Sequence, residues 1–252
     1  MNKFTEKLKH LRQGATEPMG FRTQSTKEKR KIMVIASISE PNIDNLKDYI
    51  GGADALLYPV NNISDFDALS RLAKETPEMA FGARLTDTLG DKEKFLDINC
   101  DFVLFKPEMP FYEWPEGTGR VLELNLSDSD SMTRSVNDLK VDAVMIYELS
   151  SRILNWRYLN AIQRIDNLIS KPIMVQFPAD TSIDTLSQFW EVGADALVVD
   201  IISGKQKDII GQLREAVDKT GFPAFTKSKK TDVTLPFISP EQSEDLEEEE
   251  RL

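Results

Sequence analysis

Apolar residues along this chain gather into eight short runs, separated by stretches with helical spacing. Four runs share one opening, a small or apolar residue, then Asp, then an apolar series. They are Ala53-Asp54-Ala55-Leu56-Leu57, Cys100-Asp101-Phe102-Val103-Leu104, Val141-Asp142-Ala143-Val144-Met145 and Ala194-Asp195-Ala196-Leu197-Val198. Their aspartates lie 47, 41 and 53 residues apart. Between them fall Ile32–Ser39, Met79–Leu85, Arg120–Ser127 and Pro172–Pro178. Short apolar runs bounded by polar segments read as buried strands.

Helical patterns follow most of these runs. The spacing predicts helices over Asn42–Ile50, Ser64–Glu75, Asp91–Ile98, Asp130–Leu139, Leu154–Ile169, Ser182–Val192 and Lys205–Val217. After the fourth run, Pro107, Pro110, Pro115 and Gly117 break the pattern and predict an irregular loop. Strands that alternate with helices pair in parallel, because a parallel pair needs a long crossover. Eight such units match a closed (β/α)8 TIM barrel. The alternative is an open doubly wound sheet, but the Gly-rich first turn of dinucleotide binders is missing.

The Gly-Ala-Asp-Ala-Leu segments at 52–56 and 193–197 resemble the strand starts of phosphate- and flavin-binding barrels. Those include the imidazole-glycerol-phosphate and indole-glycerol-phosphate synthases and the flavin-dependent dihydroorotate dehydrogenases. The resemblance spans residues 31–220 and is one of fold. It implies phosphate held by Gly-rich turns after strands seven and eight. Strand seven ends Gln176-Phe177-Pro178-Ala179-Asp180, without glycine. Ser203-Gly204 after strand eight, beside Lys205, remains as an anion cradle at the start of the last helix.

Alternation along the strands sorts inner from outer positions. Ala55, Phe102, Ala143 and Ala196 form one inward layer. Leu57, Leu104, Met145 and Val198 form the next, and Pro59, Lys106, Tyr147 and Asp200 the top one. On the odd strands, polar residues mark the inner face: Ser37, Ser39, Arg84, Glu123, Asn125 and Gln176. All sit toward the C-terminal strand ends, where barrel active sites lie. Placement across the barrel pairs Lys106 with Asp200 and Arg84 with Glu123. Burying such groups unpaired costs several kcal/mol each, so they pair, meet water or meet a ligand.

The roles expected at this end follow from chemistry. Arg84 grips an anion in a bidentate manner. Lys106 holds a phosphate or carboxylate when Asp200 keeps it charged, or acts as acid/base or Schiff-base nucleophile when desolvated. Glu123 is the first candidate for general base and Asp200 the second. Tyr147 and Asn125 orient a carbonyl or hydroxyl, with Gln176 and Ser37 beside them. A Mg²⁺ site at Glu123, Asp200 and Glu148 lacks any metal-ligand spacing, so no metal is assigned. Ion pairs that simply plug the barrel mouth are the structural alternative.

Composition narrows the picture. The 252 residues carry 31 Lys+Arg against 42 Asp+Glu, a net charge of −11, which argues against broad nucleic-acid binding. One cysteine, Cys100, excludes an internal disulfide and a Cys-cluster metal site, and reads as a small buried hydrophobe. One histidine, His10, excludes a multi-His metal site. No signal peptide or membrane span is legible, so the default compartment is the cytoplasm.

Charge is unevenly spread: Met1–Lys31 carries a net of +6 and Glu241–Leu252 a net of −6. The chain divides into a basic extension (1–30), the barrel (31–220) and a strap with a disordered acidic tail (221–252). Phe4, Leu8 and Leu11 put an amphipathic helix at 2–12, read as a cap with its lysines in water or as a basic membrane-surface helix. Trp156 and Trp190 read as helix–barrel packing. Trp114, with Phe111 and Tyr112, reads as a lid or a rim contact.

Three functions emerge. The first is an enzyme that binds a small anionic metabolite, with phosphate esters among the candidates, at the C-terminal mouth and runs acid/base lyase or isomerase chemistry. The second is an inactive barrel that serves as scaffold or regulatory partner through its charged ends, as a homo-oligomer or with another protein. The third is an FMN-dependent oxidoreductase.

Overall fold

A strand covered on both faces is apolar along most of its length, and the eight runs follow that rule, with polar residues mainly at their upper ends. The computed structural model describes residues 3–13, 32–38, 46–61, 65, 71–74, 76–77, 79–85, 100–147, 153–178, 180–201 and 208–220. The runs form strands β1 (Met33–Ile38), β2 (Ala55–Val60), β3 (Ala80–Leu85), β4 (Phe102–Phe105), β5 (Gly119–Leu124), β6 (Ala143–Ile146), β7 (Ile173–Gln176) and β8 (Ala196–Ile201). Every neighbouring pair is parallel and the order is sequential around a closed barrel. β1 closes on β8, from Met33 opposite Ala196 to Ile38 opposite Ile201.

The helices bounded within the described residues are α1 (Lys3–Gln13), α2 (Lys47–Ile50), α3 (Asp130–Ser135), α4 (Trp156–Leu168), α5 (Leu186–Glu191) and α6 (Ile209–Lys219). Several are shorter than the spacing predicts. Asp130–Leu139 divides into α3 and a 3₁₀ turn, Val136–Asp138. Ser182–Val192 opens with a 3₁₀ turn, Ile183–Thr185, before α5. The helix expected over Asp91–Ile98 lies outside the described residues, as do all of 221–252 and the segment 14–31. No helix follows β4, where residues 106–118 run as turns and irregular chain. Among the described residues no helix is long and apolar enough to cross a membrane.

The fourfold Asp has a physical cause. In each repeat the aspartate carboxylate accepts the backbone N–H of the preceding odd strand, where the ladder has not yet begun. Asp54 takes Val34 N–H at 2.9 Å, Asp101 takes Phe81 at 2.9 Å, Asp142 takes Arg120 at 3.1 Å and Asp195 takes Ile173 at 2.8 Å. The Asp backbone N–H returns a bond to the carbonyl of the same residue each time. A two-point clip thus fixes the register of every odd–even strand pair at its lower end. In the first and last repeats the residue two before Asp is a glycine at positive φ, Gly52 at 90° and Gly193 at 98°. A side chain is strained there, and a Cβ on Gly193 would lie 2.3 Å from the Asp166 carboxyl carbon.

Two apolar clusters reproduce the alternation. The inner one holds Met33, Ile35, Ala55, Leu57, Phe102, Leu104, Val121, Ala143, Met145, Met174, Ala196 and Val198. The outer one holds Val34, Ala36, Leu56, Tyr58, Val103, Leu122, Val144 and the helix faces. Helix α1 closes the lower end: Phe4 and Leu8, each 1% exposed, belong to the inner cluster. The Phe4 ring stacks on Phe102 with centroids 3.8 Å apart and planes 11° from parallel. Phe102 finds room because Gly82 faces it without a side chain; a Cβ there would stand 2.2 Å from its ring.

Two lysines of α1 are not free in water, as the helical pattern alone suggests. Lys7 is ion-paired with Asp54, and Lys9 with Asp142 at 2.9 Å. Arg214 of α6 reaches Asp54 at 2.9 Å from the other side. Two of the four clips therefore also seat the N-terminal helix. Trp190 is buried, as its helical position implies. Trp156 is not packing between helix and barrel: it is the first residue of α4, just past the N-cap Asn155, and is 85% exposed.

Candidate active site

The upper layer of the barrel interior continues the alternation of the apolar layers beneath it. Ser37 follows Met33 and Ile35 on the inner face of β1, and Gln176 follows Met174 on β7. Asp200 follows Ala196 and Val198 on β8, and Glu123 follows Val121 on β5. Arg84 follows Ala80 and Gly82 on β3, and Tyr147 comes directly after β6. Ser37 is 1% exposed, whereas Arg84, Glu123, Tyr147, Gln176 and Asp200 are half-buried.

Four of these residues form one connected network. The Tyr147 hydroxyl donates to Asp200 Oδ2 at 2.9 Å and accepts from Arg84 Nη1 at 3.3 Å. The Arg84 guanidinium carbon lies 4.3 Å from the Tyr147 ring centroid, so cation–π attraction adds to the hydrogen bond. Gln176 Nε2 donates to the same Asp200 Oδ2 at 2.7 Å. The other carboxylate oxygen, Asp200 Oδ1, is buried without a partner, and so are Gln176 Oε1 and Ser37 Oγ. Burial, with Asp200 next in weight, pushes the Tyr147 hydroxyl above its ordinary value of 10.0 against the opposing pull of Arg84. Tyr147 thus stays protonated at neutral pH.

The network is braced from outside. Tyr158 on α4 is buried, and its hydroxyl donates to the carbonyls of Gln176 at 3.0 Å and Ile146 at 3.3 Å. It ties the upper ends of β6 and β7, the residues that carry Tyr147 and Gln176. Sequence reasoning missed Tyr158. The signal was a tyrosine on the apolar stripe of a helix, whose hydroxyl needs a partner when buried.

The expected cross-barrel pairs do not form. Among the described residues Asp200 makes no ion pair with Lys106, and Arg84 makes none with Glu123. β4 ends at Phe105, and a turn closes from Met109 N–H to the Lys106 carbonyl at 3.1 Å around Pro107. The turn carries Lys106 out of the inner layer, and its side chain is exposed. Asn125 is also exposed, in a turn past β5 where its N–H reaches Asp128 at 3.3 Å. Ser39, Glu148, Ser203, Gly204 and Lys205 lie outside the described residues. Among the described residues no three His, Cys, Asp or Glu side chains gather as metal ligands.

Lys106 instead lines a cavity of about 310 Å³ on the outer flank of β4 and β5, with Met109, Phe111, Trp114, Leu122 and Leu139. Among the described residues no helix covers that flank. Trp114 packs into the outer cluster, 5.7 Å from Tyr112 and 6.4 Å from Phe105 between ring centroids. It is therefore a flank contact and not a lid over the barrel mouth. Phe111 stands 89% exposed at this cavity.

No protein-family model matches the chain, and a search of curated proteins finds no match. Solved structures do match in fold. Thiamine phosphate pyrophosphorylase from Pyrococcus furiosus aligns at 13% identity and a TM-score of 0.54, over 74% of this chain and 96% of that one. A mutant tryptophan synthase α-subunit from the same organism aligns at 10% and 0.55, over 75% and 97%. A protein from Aquifex aeolicus VF5 aligns at 14% and 0.57, over 84% and 95%. At such identities the likeness establishes the (β/α)8 barrel and nothing finer.

Proposed function

We propose that this barrel is an enzyme that binds a small anionic metabolite at its C-terminal mouth and moves a proton on it, as a lyase or isomerase. The observation that carries this reading is the Arg84–Tyr147–Asp200 network, which ends in an unpartnered buried carboxylate oxygen. Oδ2 is saturated by Tyr147 and Gln176, so Oδ1 is the oxygen left to accept a proton. Arg84 spends one N–H on Tyr147 and has others with which to hold an anion. Glu123, on the inner face of β5, is a second acid/base group. Ser203, Gly204 and Lys205, from the sequence after β8, would complete the anion grip. Phosphate appears in the name of one structural neighbour, which agrees with this ligand class.

A panel of phosphorylated and carboxylated metabolites, screened by thermal shift, tests the reading. Active compounds should raise the Tm of the wild type but not of Arg84→Met. Asp200→Asn should retain a smaller shift, from the anionic end still held on Arg84, and lose turnover. If no anionic compound shifts the wild type, the reading fails.

The scaffold alternative rests on the outer cavity with exposed Phe111. Under that reading Phe111→Ser would disrupt an assembly, while Asp200→Asn would change nothing.

A further inference from the structure

Polar atoms taken out of water without a partner cost about 1–3 kcal/mol each, so three of them on adjoining strands need a reason. Ser37 Oγ, Gln176 Oε1 and Asp200 Oδ1 are such a set. They come from three consecutive strands, since β8 lies between β7 and β1. Ser37 is directly opposite Asp200 in register, and both belong to the inner face. Gln176 is bonded to Asp200 through its amide nitrogen, which turns its oxygen away from that bond. All three atoms accept hydrogen bonds, and one carries negative charge. A bare anion would be repelled by this corner.

We infer that this corner binds the primary ammonium group of the ligand, so that the substrate class is a short amino-bearing anion. The inference rests on the anion reading above, with the anionic end on Arg84. An ammonium has three donors, and the corner offers three acceptors. A donor at ~2.8 Å from two oxygens in tetrahedral directions bridges a gap of roughly 4.6 Å, and neighbouring strands lie about 4.8 Å apart. Charge agrees locally: the corner's one charged group is Asp200, which an ammonium offsets, while Arg84 faces the anionic end. Only the Tyr147 hydroxyl separates Arg84 from Asp200, so few bonds separate the two ends of the ligand. Such a molecule is an amino acid or an aminoalkyl phosphate.

The test is a matched series on the full chain: phosphoethanolamine, 2-hydroxyethyl phosphate and ethyl phosphate, which differ only in the terminal ammonium, hydroxyl or hydrogen. The carboxylate counterparts are β-alanine, 3-hydroxypropionate and propionate. Titration calorimetry should show the ammonium member of at least one series binding at least tenfold tighter than its ethyl or propionate counterpart. Ser37→Ala and Asp200→Asn should erase that preference while leaving the weaker anion binding in place. A hydroxyl member that binds as tightly as the ammonium member, or a terminal group without influence, overturns the ammonium assignment and leaves the anion reading standing. If no member of either series binds, both fall together. The wild-type comparison decides the matter even if a variant fails to fold.

Discussion

The ring of Phe4, three residues from the chain's beginning, lies flat on Phe102 at the bottom of the barrel, 3.8 Å between centroids. The contact makes α1 part of the barrel core. Phe4→Ala should therefore cost about 3 kcal/mol in urea unfolding, in the range for large core truncations. A double-mutant cycle of Phe4→Leu and Phe102→Leu should show a coupling of about 1 kcal/mol. A cost near zero would mean that the helix sits on the barrel without closing it. Gly82→Ala strikes the same stack from β3 and should cost about 1–3 kcal/mol through overpacking.

The Asp clips differ in solvent access, and that difference is measurable. Asp195 is fully buried, whereas the Asp142 side chain is 29% exposed. Asp195→Ala leaves the Ile173 N–H buried without a partner and should cost about 2–3 kcal/mol. At Asp142→Ala water replaces the lost acceptor, and the cost should be smaller by about 1 kcal/mol. Equal denaturation midpoints for the two variants would contradict the burial argument.

Tyr147 gives the mouth a spectroscopic handle. Its folded hydroxyl titrates above the ordinary 10.0 because burial and Asp200 oppose ionisation. The folded state then holds this proton longer than the unfolded state. Stability is intact below pH 10 and falls as the pH rises from 10 toward the folded value. In an absorbance titration of phenolate, Tyr147→Phe should remove a late-ionising component. Loss of an early-ionising component instead would place the hydroxyl in water.

Cys100 behaves likewise at lower pH. Burial, then Asp101, pushes its thiol from 9.0 to about 12. The unfolded thiol ionises near 9 while the folded one stays protonated, so stability should fall as pH climbs from about 9 to about 12. Cys100→Ala should flatten that part of the Tm–pH curve. Thiol reagents at pH 8 should label the native protein far more slowly than the urea-unfolded chain, and equal rates would refute the burial.

The strands and their order were legible because a parallel barrel demands unbroken apolar runs, and because the recurring Asp marks where each even strand begins. The layers were legible from alternation, which holds wherever ladder pairing holds. The mouth was only partly legible for the same reason. Lys106, like Tyr147, stands one residue past its strand, but at Lys106 the chain turns around Pro107 and leaves the alternation. Arg84 sits where alternation puts it, yet its long side chain goes to Tyr147 and not to Glu123. The rule gives the direction of a side chain, not its end point. Gly82 gave no signal, since a missing Cβ has meaning only beside the ring that fills its place.

The four clips divide the barrel into four parallel two-strand modules, β1–β2, β3–β4, β5–β6 and β7–β8, each stapled within itself by a side chain. Between modules the lower ends meet through backbone bonds, as where Gly119 N–H reaches the Asp101 carbonyl, and at the β6–β7 seam also through Lys171 Nζ on the Val141 carbonyl. Such a molecule has natural seams. New chain ends placed after β2, β4 or β6 would spare every staple, whereas a cut inside a module would separate a carboxylate from the amide that gives it its place.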